Sequence, residues 1–314
     1  MKLQQLQILL AVVEHGGIRA AARQLHLSQA AVTKAMKSLE DTAGTALLLR
    51  GARGASLTAA GQNILVRARL IARQVALIQE DLRQAAGDDF GTVRVGVTPF
   101  VTLAGLGEAF RWFRLRYRNV AVQLVEGLMW RVLPQLRDGS LDIAVAAADV
   151  GEVRDDVLHC QRLRQFTQCI VVREGHPILK APTAKALANL EWVLTQPLAY
   201  GGDSRVQAMF TTAGVAPPTH VVLCETLAAM TLLRHSDSAA IFPQPLLGHP
   251  ESRGIVAIDA CPLHPSDIEL LLLTRPDVPL TKATQYFAHC LTQVSSAPES
   301  AIVSTSLRQS TILR

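Results

Sequence analysis

Amide, hydroxyl and ammonium side chains recur at helical spacing near the amino terminus of this 314-residue chain. Gln29, Thr33 and Lys37 are four residues apart, so on a helix they share one face. Ala30 and Lys34 lie beside them. Such groups can bond the base edges and phosphates of duplex DNA, and a helix with small residues between them fits the major groove. The alternative is an ordinary amphipathic helix inside a globular domain.

Two short helical patterns with a tight break between them would position these groups. The first covers residues 18–25, and the chain turns at residues 26–27. Ser28 is expected to cap the second helix, because its hydroxyl can accept a hydrogen bond from an otherwise unpaired backbone N–H. Val32, Met36 and Leu39 recur at helical spacing and must face inward. The segment therefore predicts a helix-turn-helix.

A basic, glycine-rich turn follows. Arg50 and Arg53 lie in the sequence Arg-Gly-Ala-Arg-Gly, between the apolar run 47–49 and the extended segment 55–57. A strand, a basic tip and a returning strand behind a helix-turn-helix predict a winged domain, whose tip would reach phosphate or the minor groove. Thr58 is expected to cap the next helix.

The order of these residues resembles the LysR-type transcriptional regulators. The matching positions are Ala21-Ala22, Leu25, Leu27-Ser28-Gln29, Ala31-Val32, Leu39-Glu40, Arg50, Leu57-Thr58 and Gly61. The chain departs from the family pattern at Gly17, where a serine cap is common, and at Ala30 and Thr33, where proline and serine are common. The resemblance implies a regulator that binds double-stranded DNA. The predicted DNA-binding residues are Arg19, Ser28, Gln29, Ala30, Thr33, Lys34, Lys37, Arg50 and Arg53.

Positive charge is concentrated at the amino terminus. Residues 1–58 contain seven Lys or Arg and three Asp or Glu, a balance of +4, and residues 59–87 contain four and two, a balance of +2. Because the whole chain carries +5, the remainder carries −1. This distribution is typical of a protein with a polyanionic partner, although chance clustering is the alternative.

Cysteine usage and hydropathy indicate a cytoplasmic protein. The five cysteines are scattered without metal-ligand spacing, which predicts reduced thiols and no metal or cofactor; a redox or metal sensor is the alternative. The apolar start of the chain is interrupted by glutamines, so Leu3, Leu6, Leu10 and Val13 are interpreted as the buried stripe of a first helix. No apolar run is long enough to span a bilayer, so no membrane partner is expected.

A heptad pattern follows the wing. Its members alternate spacings of four and three through Ile64, Ala68, Ile71, Val75, Ile78, Leu82 and Ala85. A helix of this length, roughly 40 Å, would leave that stripe exposed without a partner, so a homodimer is predicted. Packing on the chain's own core is the alternative. The resemblance implies that two dimers then join through their effector domains into a homotetramer.

After Gly91 strands alternate with helices, which predicts a mostly parallel sheet. One helix is expected over residues 100–117. The resemblance implies a two-lobed effector domain, built like a periplasmic binding protein, with the chain crossing between lobes near Gln165 and Pro265. The predicted boundaries are a winged domain at 1–58, a linker helix at 59–87, lobe 1 at 88–164 with 266–294, lobe 2 at 165–265, and a mobile tail at 295–314.

A ligand is expected beyond the carboxyl ends of the strands, where helices begin and unpaired N–H groups favour an anion. Arg205 could add a charge-assisted bond to a small anionic effector. The alternatives are helix caps for the threonines, core positions for the aromatic residues and a surface position for Arg205. The predicted effector-binding residues are Thr98, Phe100, Thr102, Leu128, Gly202, Ser204, Arg205, Thr226 and Phe242.

The sequence therefore predicts a ligand-responsive, DNA-binding transcriptional regulator. One alternative is a small-molecule binding module whose basic amino terminus contacts a protein, and another is a cytoplasmic enzyme. The sequence contains no GxSxG, HExxH, P-loop or GxGxxG motif, so it favours a protein that is not an enzyme. Asp142, which precedes a strand, is interpreted as a turn or cap residue.

Overall fold

The computed structural model describes residues 1–51, 54–85, 90–149, 158–195, 202–276 and 278–296. The chain divides into two compact units, which are described separately: residues 1–91 together with the short segment 137–141, and the remainder from residue 92 onward. The tail predicted at 295–314 begins two residues too early, because Ser295 and Ser296 belong to the last helix, Lys282–Ser296; residues 297–314 lie outside the described residues.

The amino-terminal unit is a winged helix-turn-helix followed by a long helix. Its elements are α1 (Leu3–Glu14), α2 (Ile18–Gln24), α3 (Gln29–Ala43), β1 (Leu48–Gly51), β2 (Gly54–Leu57) and α4 (Ala59–Ala85). Leu9 and Val12 of α1 are fully buried against Val32, Met36 and Leu39 of α3. The buried stripe of α1 is therefore centred one residue before the predicted positions Leu10 and Val13, which are half-buried beside it.

The turn between α2 and α3 is tight. His26 takes a left-handed conformation with φ 54°, and the backbone N–H of Leu27 donates to the carbonyl of Ala22 at 2.9 Å. The hydroxyl of Ser28 accepts from the backbone N–H of Ala31 at 3.1 Å, so the predicted cap is confirmed. These contacts fix the angle at which α3 leaves the turn.

The wing is fastened to the start of α4 by Thr58 and Gly61. The Thr58 hydroxyl donates to the carbonyl of Ala46 at 2.8 Å and accepts from the N–H of Gly61 at 3.0 Å, which confirms its predicted capping role. A Cβ at Gly61 would lie 2.1 Å from the carbonyl oxygen of Leu47. Only glycine lets the first turn of α4 approach the residue before β1 this closely.

The heptad stripe of α4 divides into two parts. Ala68 is buried and Ile64 half-buried in the core of the winged domain, so the prediction of one continuous seam beginning at Ile64 is wrong. Farther along, Ile71, Ile78 and Leu82 are 45%, 58% and 66% exposed. The first turns of α4 pack into the core of the winged domain because α1 and β2 lie against them.

The second unit contains two lobes. The elements of lobe 1 are β3 (Thr92–Val97), α5 (Pro99–Ala104), α6 (Leu106–Arg116), β4 (Ala121–Glu126), α7 (Met129–Arg137), β5 (Ile143–Asp149), β6 (His159–Phe166), β12 (Ile268–Thr274) and α11 (Lys282–Ser296). Those of lobe 2 are β7 (Gln168–Arg173), α8 (Ala184–Ala188), β8 (Trp192–Leu194), α9 (Gly202–Thr212), β9 (Val221–Leu223), α10 (Thr226–His235), β10 (Ala240–Pro243) and β11 (Ile255–Ala257), with 3₁₀ turns at Pro177–Lys180, Gln244–Gly248 and Pro250–Ser252.

The sheets are mixed rather than mostly parallel, so that expectation is wrong. In lobe 1 the strand order is β4-β3-β5-β12-β6; β3 is parallel to β4 and β5, whereas β12 is antiparallel to β5 and β6. In lobe 2, β10 and β11 flank β7 in antiparallel pairs, and β8 pairs with β9 in parallel. The chain leaves lobe 1 at Thr167 and returns after β11, and the returning strand enters between β5 and β6.

The single helix expected over residues 100–117 is also wrong, because α5 and α6 meet at Gly105. A Cβ at Gly105 would lie 2.9 Å from the Val294 side chain, so the glycine lets the junction of α5 and α6 pack closely against α11. Asp142 has the local role that was expected: its carboxylate accepts from the N–H of Arg94 at 2.9 Å, which joins the start of β5 to β3.

Candidate DNA-binding surface and effector cleft

The polar face of α3 is open to solvent. Gln29, Ala30, Lys34 and Lys37 are exposed, as are Arg19 and Ser28 in the preceding helix and turn, while the opposite face of α3 is fully buried. Thr33 is half-buried, and its hydroxyl donates to the carbonyl of Gln29 at 2.9 Å. The Thr33 proton is therefore committed within the helix, and only its oxygen can face a partner as an acceptor.

Two contacts hold α3 against the rest of the winged domain. The carboxylate of Glu40 accepts from the backbone N–H groups of Leu47 and Leu48 at 2.8 and 3.1 Å, and the amide of Gln5 donates to Ser38 at 3.0 Å. The wing strand therefore starts from a fixed point on α3.

The wing is an antiparallel hairpin. Leu48 pairs with Leu57, and Gly51 pairs with Gly54, while residues 52–53 lie outside the described residues. Arg50 lies on β1, but its side chain and all of Arg53 lie outside the described residues. Both remain sequence-based predictions.

The effector domain contains a cleft at the ends of its strands. It is lined by residues of both lobes and is partly open to solvent. Six of the nine predicted effector-binding residues line it: Thr98, Phe100, Leu128, Arg205, Thr226 and Phe242. Residues from both lobes thus surround one cavity.

Thr98 has the most distinctive environment among them. It follows β3 directly, is 2% exposed and occupies the N-cap of α5, yet its hydroxyl makes no capping hydrogen bond. Its backbone N–H donates to the carbonyl of Val145 at 2.9 Å. A buried hydroxyl that does not cap its own helix is available to a ligand.

The remaining three predicted residues are not placed in the cleft by the structure. Thr102 does not line the cavity, because it lies one helical turn beyond Thr98 and its hydroxyl points back to the Thr98 carbonyl at 3.4 Å. Gly202 begins α9 and Ser204 lies within it, but the side chains of this first turn lie outside the described residues.

Sequence reasoning missed two polar lining residues, Gln168 and Thr195. Thr195 directly follows β8, so the rule that selected Thr98 after β3 could have found it. Gln168 opens β7 just after the chain crosses between lobes, a position without a sequence signal. A second, smaller cavity adjoins the cleft and shares Gln168, Thr195, Arg205 and Ile241 with it.

An ion pair joins the two lobes at residues close in sequence to the cleft lining. A guanidinium nitrogen of Arg131 in α7 lies 3.2 Å from a carboxylate oxygen of Glu225, the residue before α10. Both side chains are largely exposed, so the pair contributes little to stability.

The cysteines are free thiols in the effector domain. Burial, followed by the charge of Cys261, raises the pKa of Cys169 to about 11. Burial also raises the pKa of Cys224, Cys261 and Cys290. Within the described ranges no three His, Cys, Asp or Glu side chains are grouped as metal ligands, and none of the described helices is long and apolar enough to cross a bilayer.

A winged helix-turn-helix joined to a two-lobed ligand-binding domain is the architecture of a ligand-responsive transcription factor. Two family models match the chain: a bacterial regulatory helix-turn-helix protein of the lysR family over residues 3–62, and the LysR substrate binding domain over residues 86–296. The chain therefore belongs to the LysR family of transcriptional regulators.

Known proteins agree with this assignment. The SDS degradation transcriptional activation protein of Pseudomonas sp. (strain ATCC 19151) is 30% identical over 261 residues, which cover 82% of this chain and 83% of that protein. The crystal structure of ArgP from Mycobacterium tuberculosis aligns with a TM-score of 0.70 and 20% identity, over 93% of this chain and 97% of that one. Full-length CbnR complexed with its target DNA aligns with a TM-score of 0.63 and 22% identity, over 94% and 100%. At these identities the two structures show the shared fold.

Proposed function

We propose that this regulator reads duplex DNA with the exposed face of α3 and grips the flanking backbone with the wing. Gln29 is the candidate for a base contact, since an amide can bond adenine bidentately, and Lys34 and Lys37 are candidates for phosphate contacts. The observation that carries this proposal is the open polar face of α3 above a fully buried core. The DNA complex of CbnR supports it by the shared fold.

We also propose that the protein acts as a homodimer through α4, with two dimers forming a homotetramer. Support comes from Ile71, Ile78 and Leu82, which lie at spacings of seven and four and remain exposed. Large aliphatic side chains at coiled-coil spacing are stabilised by a second helix. A dimer would present two winged domains to two half-sites.

The effector in this proposal is a small anionic molecule held in the cleft by Thr98, Thr226 and Arg205, with the aromatic residues around its body. Because the lining comes from both lobes, a ligand that fits their closed arrangement better than their open one would shift the population between them. The protein in this proposal is cytoplasmic and regulatory rather than catalytic.

The DNA proposal is tested with duplexes selected by the wild-type protein from a random library. Gln29→Ala should lose about 1–3 kcal/mol on the selected sequence and much less on random duplex. Arg53→Ala should weaken binding to both equally and lower the salt slope by about 0.9, as expected for one lost phosphate contact. Gln7→Ala, an exposed amide on α1, is the matched control.

Two results would contradict the proposal. The selection would yield no enriched sequence if α3 did not read bases. Equal losses for Gln29→Ala on selected and random duplexes would remove this residue from base recognition.

A further inference from the structure

The described side chains that line the cleft include a cation and no carboxylate. Among the described residues that line it, Arg205 is the single ionisable side chain, and the polar remainder consists of Thr98, Gln168, Thr195 and Thr226. An anionic group on a ligand would meet a cation and several donors there. An ammonium group would meet no carboxylate in this lining, and a desolvated charge without a counter-ion is disfavoured.

Acidic residues adjacent in sequence to the lining are engaged elsewhere. Glu225, before Thr226, pairs with Arg131 at 3.2 Å. Asp267, before Ile268, accepts from the amide of Gln165 at 2.9 Å. Glu269 pairs with Arg162 at 3.1 Å. Each of these carboxylates already has its partner outside the cavity.

The cleft is divided into an apolar part and a polar part. Phe100 and Phe166 meet edge to face with ring centroids 4.7 Å apart, and both are buried in the cavity wall with Phe242. The adjoining cavity adds Ser266 to Gln168, Thr195 and Arg205. Arg205 lines both cavities, so it stands where the apolar part meets the polar part.

We propose that the effector is an amphipathic monocarboxylate with an aromatic or branched-alkyl body and no amino group. The carboxylate lies at Arg205 among Gln168 and Thr195, and the body packs against Phe100 and Phe166. This inference rests on the proposed effector cleft and specifies the class of ligand that the cleft accepts.

The test uses pairs of probes that differ only by an ammonium group: 3-phenylpropionate with phenylalanine, phenylacetate with phenylglycine, and 4-methylpentanoate with leucine. Calorimetric titration of the full-length protein should give at least about tenfold tighter binding for the carboxylate in the best pair, which corresponds to about 1.4 kcal/mol. The amide 3-phenylpropionamide and the compact dicarboxylate succinate should bind more weakly than 3-phenylpropionate.

A variant tests whether the preference for a carboxylate depends on the guanidinium of Arg205. Arg205→Gln should remove the difference between 3-phenylpropionate and its amide, while Arg111→Gln, at an exposed arginine of α6, should keep it. The wild-type titrations decide the ligand class even if Arg205→Gln does not fold.

Several outcomes would overturn the inference. Equal or tighter binding of the amino acids, tighter binding of succinate, or no binding of any carboxylate in the millimolar range would each reject the ligand class. If an amino acid or succinate binds and Thr98→Val weakens that binding, the cleft is supported as the effector site and only the proposed ligand class is rejected. Ligand binding unchanged by both Thr98→Val and Arg205→Gln would reject the cleft itself.

Discussion

The winged domain and the effector domain offer donors to proposed anionic partners from surfaces of opposite shape. On α3, Gln29, Lys34 and Lys37 project into solvent, each separately accessible. In the cleft, Thr98 is almost completely buried, and Arg205 lines the cavity with both polar and apolar residues. Exposed cations act additively and are screened by salt, whereas partly desolvated groups act through a few short contacts that salt screens less. The same chemical groups thus suit a long polyanion on one surface and a small anion on the other.

The largest expected effect is a loss of stability in the winged domain alone, with the effector domain unchanged. Gly61→Ala should destabilise the winged domain by about 3 kcal/mol, because the new Cβ would lie 2.1 Å from the Leu47 carbonyl. Scanning calorimetry should show a lower first transition with the effector-domain transition unchanged. Gly107→Ala, in α6 with no atom near its Cβ, should be neutral or stabilising. A wild-type melting profile for Gly61→Ala would show that the wing and α4 can separate without cost.

The second effect concerns the exposed stripe of α4. Ile78→Glu should weaken dimerisation by about 2–3 kcal/mol, because it removes buried apolar surface and places an unpaired charge at the seam. Val75→Glu should act in the same direction. Val66→Glu, at an exposed valine on the opposite face of α4, is the control. Masses measured by light scattering across a dilution series check this; identical masses for Ile78→Glu and Val66→Glu would exclude the stripe as the dimer contact.

The third effect is confined to the concave site. Thr98→Val keeps the shape of the side chain and removes its hydroxyl, so effector affinity should fall by about 1 kcal/mol, or roughly fivefold. The loss should be nearly independent of salt, in contrast to Arg53→Ala on DNA. Titration at low and high ionic strength measures it. An affinity loss that disappears at high salt would assign Thr98 to a long-range electrostatic role instead.

The smallest expected effect is a loss of effector-domain stability at alkaline pH. The winged domain should not share it, since all five cysteines lie beyond residue 91. The pKa of Cys169 is about 11 in the folded protein against an ordinary value of 9.0, so the folded state favours the neutral thiol. The effector domain should therefore keep its full stability below pH 9 and lose some of it as the pH rises from 9 towards 11. Melting curves across this range check it, with Cys169→Ser reducing the loss. An equal fall in the winged-domain transition would show that thiol ionisation is not the cause.

The winged domain was predictable because its signals are local. The cap at Ser28, the cap at Thr58 and the inward residues Val32, Met36 and Leu39 depend on neighbours a few residues away, and all are confirmed. The division of the α4 stripe was not predictable. Ala68 is buried because α1 and β2 pack beside the helix, which no heptad spacing reveals.

The effector domain was predictable in its alternation of elements and much less so in its sheet directions. Strand β12 pairs antiparallel with β5 and β6 only because the chain returns after building another lobe. The rule that donors follow strands found Thr98 and would have found Thr195. It failed for Thr102, which is one turn too far along, and it had no means of finding Gln168.

The close approach at Gly61 holds the wing and the start of α4 together as one rigid unit. Thr58 joins them by two hydrogen bonds. Because Gly61 has no Cβ, the backbone of α4 lies directly against the Leu47 carbonyl, which leaves no gap between the two. A helix of 27 residues is about 40 Å long, so a tilt of about 3° at the wing moves its far end by about 2 Å. Since the helix and the chain leading into β1 are in contact at Gly61, a small displacement at the far end of α4 would change the angle of the β1–β2 hairpin.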